Sequence, residues 1–161
     1  MISSCISGFH RTEEFNKTIA ISIKKVLDEE DQLNEMINGN KKEKIKITFN
    51  HFKQEVDSSI QKVNALKPKS SELILKKSAI DLLMLYKSFC HEEFKEVVRI
   101  ACLPDSSFTK SDNAIMLSFS NYINHHLDSV LTIFVKNEKD FCEKNDISPS
   151  GLINRNEKDF H

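Results

Sequence analysis

The sequence predicts an all-α protein: four long helices in an up-and-down antiparallel bundle, with a flexible C-terminal tail. Three observations carry that expectation. Only three glycines and three prolines stand among 161 residues, too few for the tight turns that a sheet protein needs. Apolar residues recur at steps of three and four through four long stretches, the period of one helix face. The balance of 39% hydrophobic and 29% charged residues is that of a globular chain with enough apolar material for one core.

The first helix shows Phe15, Ile19, Ile23, Val26, Leu27, Leu33 and Ile37 on one face. Thr12 is its expected N-cap, Glu13 and Glu14 suit the positive end of the helix dipole, and Asn38-Gly39 supplies the stop. The second helix carries Ile45, Phe49, Phe52, Val56, Ile60, Val63 and Leu66, and it ends where Pro68 forbids helical geometry at Lys67. A third follows the cap-like Ser70-Ser71-Glu72 and runs through Leu75, Ile80, Leu83, Tyr86, Phe89, Phe94, Val97, Ile100 and Ala101 to Leu103-Pro104. At about 1.5 Å per residue this rod would approach 50 Å. The fourth begins near Thr109 to Asp112 and presents Ile115, Met116, Phe119, Tyr122, Ile123, His126, Val130, Leu131, Phe134 and Phe141 before Asn145. Domain limits follow: an N-terminal arm over 1–11, the bundle over 12–145 and a polar tail over 146–161.

Charge narrows the range of functions. The net charge is -1, from 23 basic and 24 acidic residues mixed along the chain, so no basic face announces nucleic-acid binding. The local basic run from Asn40 to Lys46 reads as a solvated connection between helices. No segment reaches the roughly 18 consecutive apolar residues of a membrane span. The first ten residues lack the basic and apolar regions of a signal peptide. The pentapeptide Asn-Glu-Lys-Asp-Phe occurs at 137–141 and again at 156–160, one short echo rather than a repeat architecture.

Chemistry-bearing patterns are sparse, and the chain reads as non-enzymatic, with no catalytic, cofactor-binding or metal-binding residues assigned. It has no Gly-x-Ser-x-Gly elbow, no glycine-rich phosphate loop and no Glu-x-x-His pair of the kind that holds di-iron centres in bundles. The clusters His91-Glu92-Glu93 and His125-His126 with Asp128 join neighbours in sequence, which point about 100° apart on a helix and do not converge on one ion. Cys90 beside His91 diverges in the same way. The four cysteines, Cys5, Cys90, Cys102 and Cys142, form no Cys-x-x-Cys pair. Cys90 and Cys102 would lie roughly 18 Å apart on one continuous helix, so any disulfides would join different elements, Cys5 with Cys90 or Cys102 among them; free core thiols are the other expectation. If the bundle holds an inter-helix pocket, its expected lining is Tyr86, Cys90, Tyr122 and His126.

A resemblance adds to this. The series Leu66-Lys67-Pro68-Lys69, then Ala79-Ile80-Asp81-Leu82-Leu83-Met84-Leu85-Tyr86-Lys87, then Glu93-Phe94-Lys95-Glu96-Val97-Val98 and Asp140-Phe141-Cys142-Glu143-Lys144-Asn145 resembles a family of helical bacterial surface lipoproteins of unassigned function. The likeness spans about Phe15 to Asn145, with Cys142 standing where the family tends to have Ala. It implies an envelope-anchored helical module, and it makes Cys5, preceded by the small-residue run Ile2-Ser3-Ser4, the candidate lipid attachment site. The only membrane contact expected is through that anchor, and the partner is a protein or a second copy of the chain. A signal peptide upstream, trimmed from this chain, would place it in the envelope or periplasm. Without one, the expectation is a cytoplasmic interaction or small regulatory protein, and a ligand-binding bundle comes third.

Overall fold

The computed structural model describes residues 3–150, with side chains from His10 onward. Five helices make up the described chain, with no strand among those residues: α1 (Ser3–Asn38), α2 (Lys42–Ala65), α3 (Leu73–His91), α4 (Glu93–Ala101) and α5 (Lys110–Asn145). They pack as a helical bundle around one core. The α1–α2 pair is the most extensive, α3 and α4 both lie against α5, and α2 backs onto α3.

The apolar stripes of α1 and α2 bury as their periodicity predicts. Ile19, Ile23, Val26, Leu27 and Leu33 of α1 meet Ile45, Phe52, Val56 and Val63 of α2 in a continuous core. Two small polar residues also lie in this interface: buried Ser59 donates its hydroxyl hydrogen to the Ser22 carbonyl at 3.0 Å. That bond also satisfies a hydroxyl which burial would otherwise penalise.

The expected start of the first helix is corrected. α1 opens at Ser3, so Thr12 is an interior, buried residue rather than an N-cap, and the stretch expected as an arm is helical from Ser3. Its far end stops at Asn38 as expected, but the left-handed residue that closes it is Asn40 rather than Gly39. Asn40 takes the left-handed conformation at φ 51°, Lys41 N–H reaches the Met36 carbonyl at 3.0 Å, and Asn40 N–H reaches that of Ile37 at 3.0 Å. This is a Schellman stop in which Asn takes the position more often held by Gly. α5 ends in the same way on Asp146 at φ 53°, with Ile147 N–H on the Cys142 carbonyl at 3.1 Å.

The expected third rod is two helices. α3 and α4 part at Glu92, whose φ of -120° and ψ of -83° lie outside helical space. No proline or glycine causes the break. In one continuous helix Phe89 and Phe94, five positions apart, would point about 140° from each other. The break rotates Phe94 back inward, where it meets Phe89 edge-on at 6.4 Å and Phe52 of α2 at 5.2 Å.

The connections are held by side chains. Glu72, expected as part of a cap, sits fully buried in a 3-10 turn over Ser70–Glu72 and accepts the Lys69 N–H at 2.7 Å. Arg11 of α1 pairs with the same carboxylate at 3.5 Å and donates to the Lys67 carbonyl at 2.7 Å. Lys76 covers the end of α2 by donating to the carbonyls of Asn64 and Leu66 at 2.8 and 2.6 Å, as cations do at helix C-termini. α5 starts as expected on Thr109, which forms a reciprocal capping box with Asp112. Beyond α5, residues 146–150 return to the bundle rather than leave it, since Ser150 N–H donates to Glu138 at 3.1 Å. The tail from 151 lies outside the described residues.

Candidate functional site

The four residues expected to line a pocket divide between two environments. Tyr86 is 2% exposed, with its ring edge-on to Phe52 at 5.9 Å and its hydroxyl donating to Glu30 of α1 at 2.6 Å. Cys90 is also buried, and its charged surroundings are Lys53 and Asp57 of α2 and Glu30 of α1. Tyr122, in contrast, is 46% exposed on α5. Its ring lies 4.1 Å from that of half-buried His126, and Phe89 of α3 packs edge-on to both, at 6.0 and 6.4 Å. The His126 Nδ1 is engaged with the Tyr122 carbonyl at 2.8 Å.

Burial governs the thiols. Desolvation pushes the Cys90 thiol from 9.0 up to about 12; Lys53 opposes this, while Asp57 and Glu30 add to it. Cys142 rises to about 11 through burial and the neighbouring Glu138. Both stay protonated at neutral pH, the opposite of what a nucleophile needs. Cys90, Cys102 and Cys142 are free thiols. Cys5 falls in the first turn of α1, and its side chain is outside the described residues. Among the described residues no three His, Cys, Asp or Glu side chains are grouped so that they could hold a metal ion, and no helix is long and apolar enough to cross a membrane.

A polar cluster at the α1–α5 seam escaped the sequence reading. Glu138 stands at 0% exposure on the core face of α5, between Phe134 and Phe141. Asn16, 4% exposed, faces it from α1 and donates its amide to Glu138 Oε1 at 3.4 Å and to the Cys142 sulfur at 3.5 Å. Ser150 N–H donates to the same carboxylate oxygen. Glu138 Oε2 and Asn16 Oδ1 are buried without a hydrogen-bond partner. Asn16 and Ser150 also line a cleft of about 300 Å³ together with Glu13, Lys17, Ala20, Ile21, Lys24 and Ser148; Glu138 itself is not part of its lining.

The signal for this cluster was present as a breach of pattern. Position 138 falls on the three-four stripe of Phe134, Phe141 and Cys142, where an acidic residue is out of place unless something meets it. A second cleft, of about 340 Å³, lies at the other end of the bundle among Ile37, Ala101, Leu103, Phe108 and Met116, beside the Lys42–Asp105 ion pair. Neither cleft is lined by Tyr86, Cys90, Tyr122 or His126.

No family model matches the chain, and no curated protein or solved structure matches it.

Proposed function

We propose that this chain is a non-enzymatic interaction module of the cell envelope, tethered through Cys5 and offering an outer helix face to a protein partner or to a second copy of itself. Its architecture in this reading is an up-and-down antiparallel bundle of four rods, with α3 and α4 counting as one. Contacts along its length support that order. Arg11 meets the connection after α2, Ser22 meets Ser59, and Glu30 meets Tyr86. Phe89 then meets Tyr122, and Phe141 returns to Phe15 at 6.3 Å.

One observation carries the interaction reading. Ile115, Tyr122 and Ile133 are exposed on α5, and at about 100° per residue they fall within about 20° of one another along about 27 Å of helix. Single exposed apolar side chains are ordinary, but an aligned row of them is a surface to be covered. The envelope part rests on the resemblance to helical surface lipoproteins and on Cys5 at the head of α1.

Expressing the full gene and fractionating the cells tests both parts. Wild type is expected in the membrane fraction and Cys5→Ser in the soluble fraction. A cross-linked partner should be lost when Tyr122 and Ile133 are both changed to Glu. Soluble wild type with an unmodified Cys5, read by mass spectrometry, overturns the anchor. Cross-linking unchanged in the double variant overturns the face. The alternative of an intracellular regulatory or interaction protein is favoured by the three free thiols, which suit a reducing compartment. Quantitative disulfides in native protein would remove it.

A further inference from the structure

The exposed row on α5 is part of a longer pattern. Ile115, Phe119, Tyr122, His126, Ser129 and Ile133 follow one another at intervals of four, three, four, three and four, the spacing of a heptad seam that a facing helix fills. None of the six is buried: Ile115, Tyr122, Ser129 and Ile133 are exposed, and Phe119 and His126 are half-buried. At about 100° per residue they keep within about 80° of arc along about 27 Å of helix. The core residues of α5, Ile123, Leu127, Phe134 and Phe141, occupy the neighbouring arc. Although 29% of the chain is charged, the only Asp, Glu, Lys or Arg from Asn113 to Val135 is Asp128, which falls about 140° from the middle of the seam. A surface enriched in aromatic residues and stripped of charge has the composition of an interface centre.

The order of the seam fits a second copy of itself. Its intervals are the same in both directions, as a two-fold antiparallel contact between identical helices requires. Centred on Asn124, that contact sets Ile115 against Ile133, Phe119 against Ser129 and Tyr122 against His126 of the second copy. Each layer closes in size or chemistry: Ile on Ile, a large ring over a small residue, a phenol beside an imidazole. The next layer sets Asp112 against Lys136, so opposite charges meet at both ends of the seam. Parallel copies would instead bring Asp112 to Asp112 and Lys136 to Lys136, which like-charge repulsion disfavours. The polar atoms within the seam are already engaged on their own helix. Ser129 donates its hydroxyl hydrogen to the His125 carbonyl at 3.1 Å, and His126 Nδ1 lies 2.8 Å from the Tyr122 carbonyl, so covering them leaves these groups satisfied.

We propose that two copies of this chain associate through α5, antiparallel about Asn124, with the six seam residues of each helix against those of the other. The proposal rests on the outer-face reading given above and names the occupant of that face as the chain itself. One helix pair of this length is a small interface, so the dimer is weak and its population depends on concentration.

Sedimentation equilibrium of the full chain tests it. At about 100 µM wild type should show twice the monomer mass, falling toward the monomer on dilution. Ile133→Glu sets a charge against Ile115 at both ends of the seam and should weaken the dimer about a hundredfold or more. Ile133 is 56% exposed, so circular dichroism of this variant should match wild type. Orientation is tested by oxidative cross-linking read by peptide mass spectrometry. Ile115→Cys mixed with Ile133→Cys should give a disulfide between positions 115 and 133 of different copies, and neither variant alone should link to itself at the new position. Wild type that stays monomeric at about 100 µM overturns the proposal. So does a dimer undiminished by Ile133→Glu, or a disulfide between like positions. Monomeric wild type whose cross-linked partner is still lost when Tyr122 and Ile133 are both changed to Glu overturns the dimer alone and leaves the outer-face reading standing.

Discussion

Phe52 is one of the largest fully buried side chains of the described core, and its removal can be worked through from the structure. It is fully buried on α2 and meets two rings edge-on, Tyr86 of α3 at 5.9 Å and Phe94 of α4 at 5.2 Å. Truncating a buried Phe to Ala costs about 3–5 kcal/mol through lost transfer energy and the cavity left behind. Two well-angled aromatic partners, each worth about 0.5–1.5 kcal/mol beyond area, place this case at about 4–5 kcal/mol. In a chain of this length that lowers Tm by about 8–20 °C, a large share of an ordinary stability of about 5–15 kcal/mol. Urea unfolding followed by circular dichroism, with the denaturant slope checked for constancy, measures it. Phe108→Ala is the control, since that ring is 43% exposed and should cost about 0.5 kcal/mol or less. A Phe52→Ala variant within about 1 kcal/mol of wild type would refute the reasoning, because two helices could not then depend on that ring for their angle.

Further outcomes follow from other residues. The folded state holds Cys90 protonated up to about pH 12, whereas an unfolded thiol ionises near 9. The unfolded chain therefore binds fewer protons above pH 9, and stability present below that pH is lost as pH rises toward 12. Urea midpoints at about pH 8 and 10 should fall more in wild type than in Cys90→Ala, and equal falls would exclude Cys90 as the cause. With iodoacetamide at neutral pH, half-buried Cys102 should react well before Cys90 and Cys142, read by peptide mass spectrometry. Thr109→Ala removes the cap of α5 and should lower Tm by about 2–4 °C. The Asp112 carboxyl, held below the usual range by hydrogen bonds from the Thr109 hydroxyl and backbone N–H, should then titrate higher by carboxyl NMR.

How much was legible in the sequence depends on which force decides a feature. The stripe of α2, from Ile45 to Val63, reads correctly because every step is three or four and each residue buries where the helix period puts it. The Thr109 cap reads correctly because its partner Asp112 is three residues away. The break at Glu92 was half legible: the step of five from Phe89 to Phe94 marks a slip in phase, but only Phe52 on another helix gives the chain a reason to turn there. The head of α1 was misread at Thr12 because a good capping residue is also tolerated inside a helix when neighbouring turns continue it. Tyr122 was expected beside Cys90, yet Phe89 faces α5 while Cys90 faces the charged groups of α1 and α2.

The site at Asn16 and Glu138 lies at the far limit of this legibility. They are separated by 122 positions, and nothing local in either neighbourhood names the other. By itself the amino-acid sequence determined the helices and the greater part of their buried faces, because these depend on period and capping within a few residues. Tertiary structure alone decided which faces meet, where the third rod turns, and which polar groups are enclosed together. Those outcomes depend on distances between residues that the chain brings together only by folding.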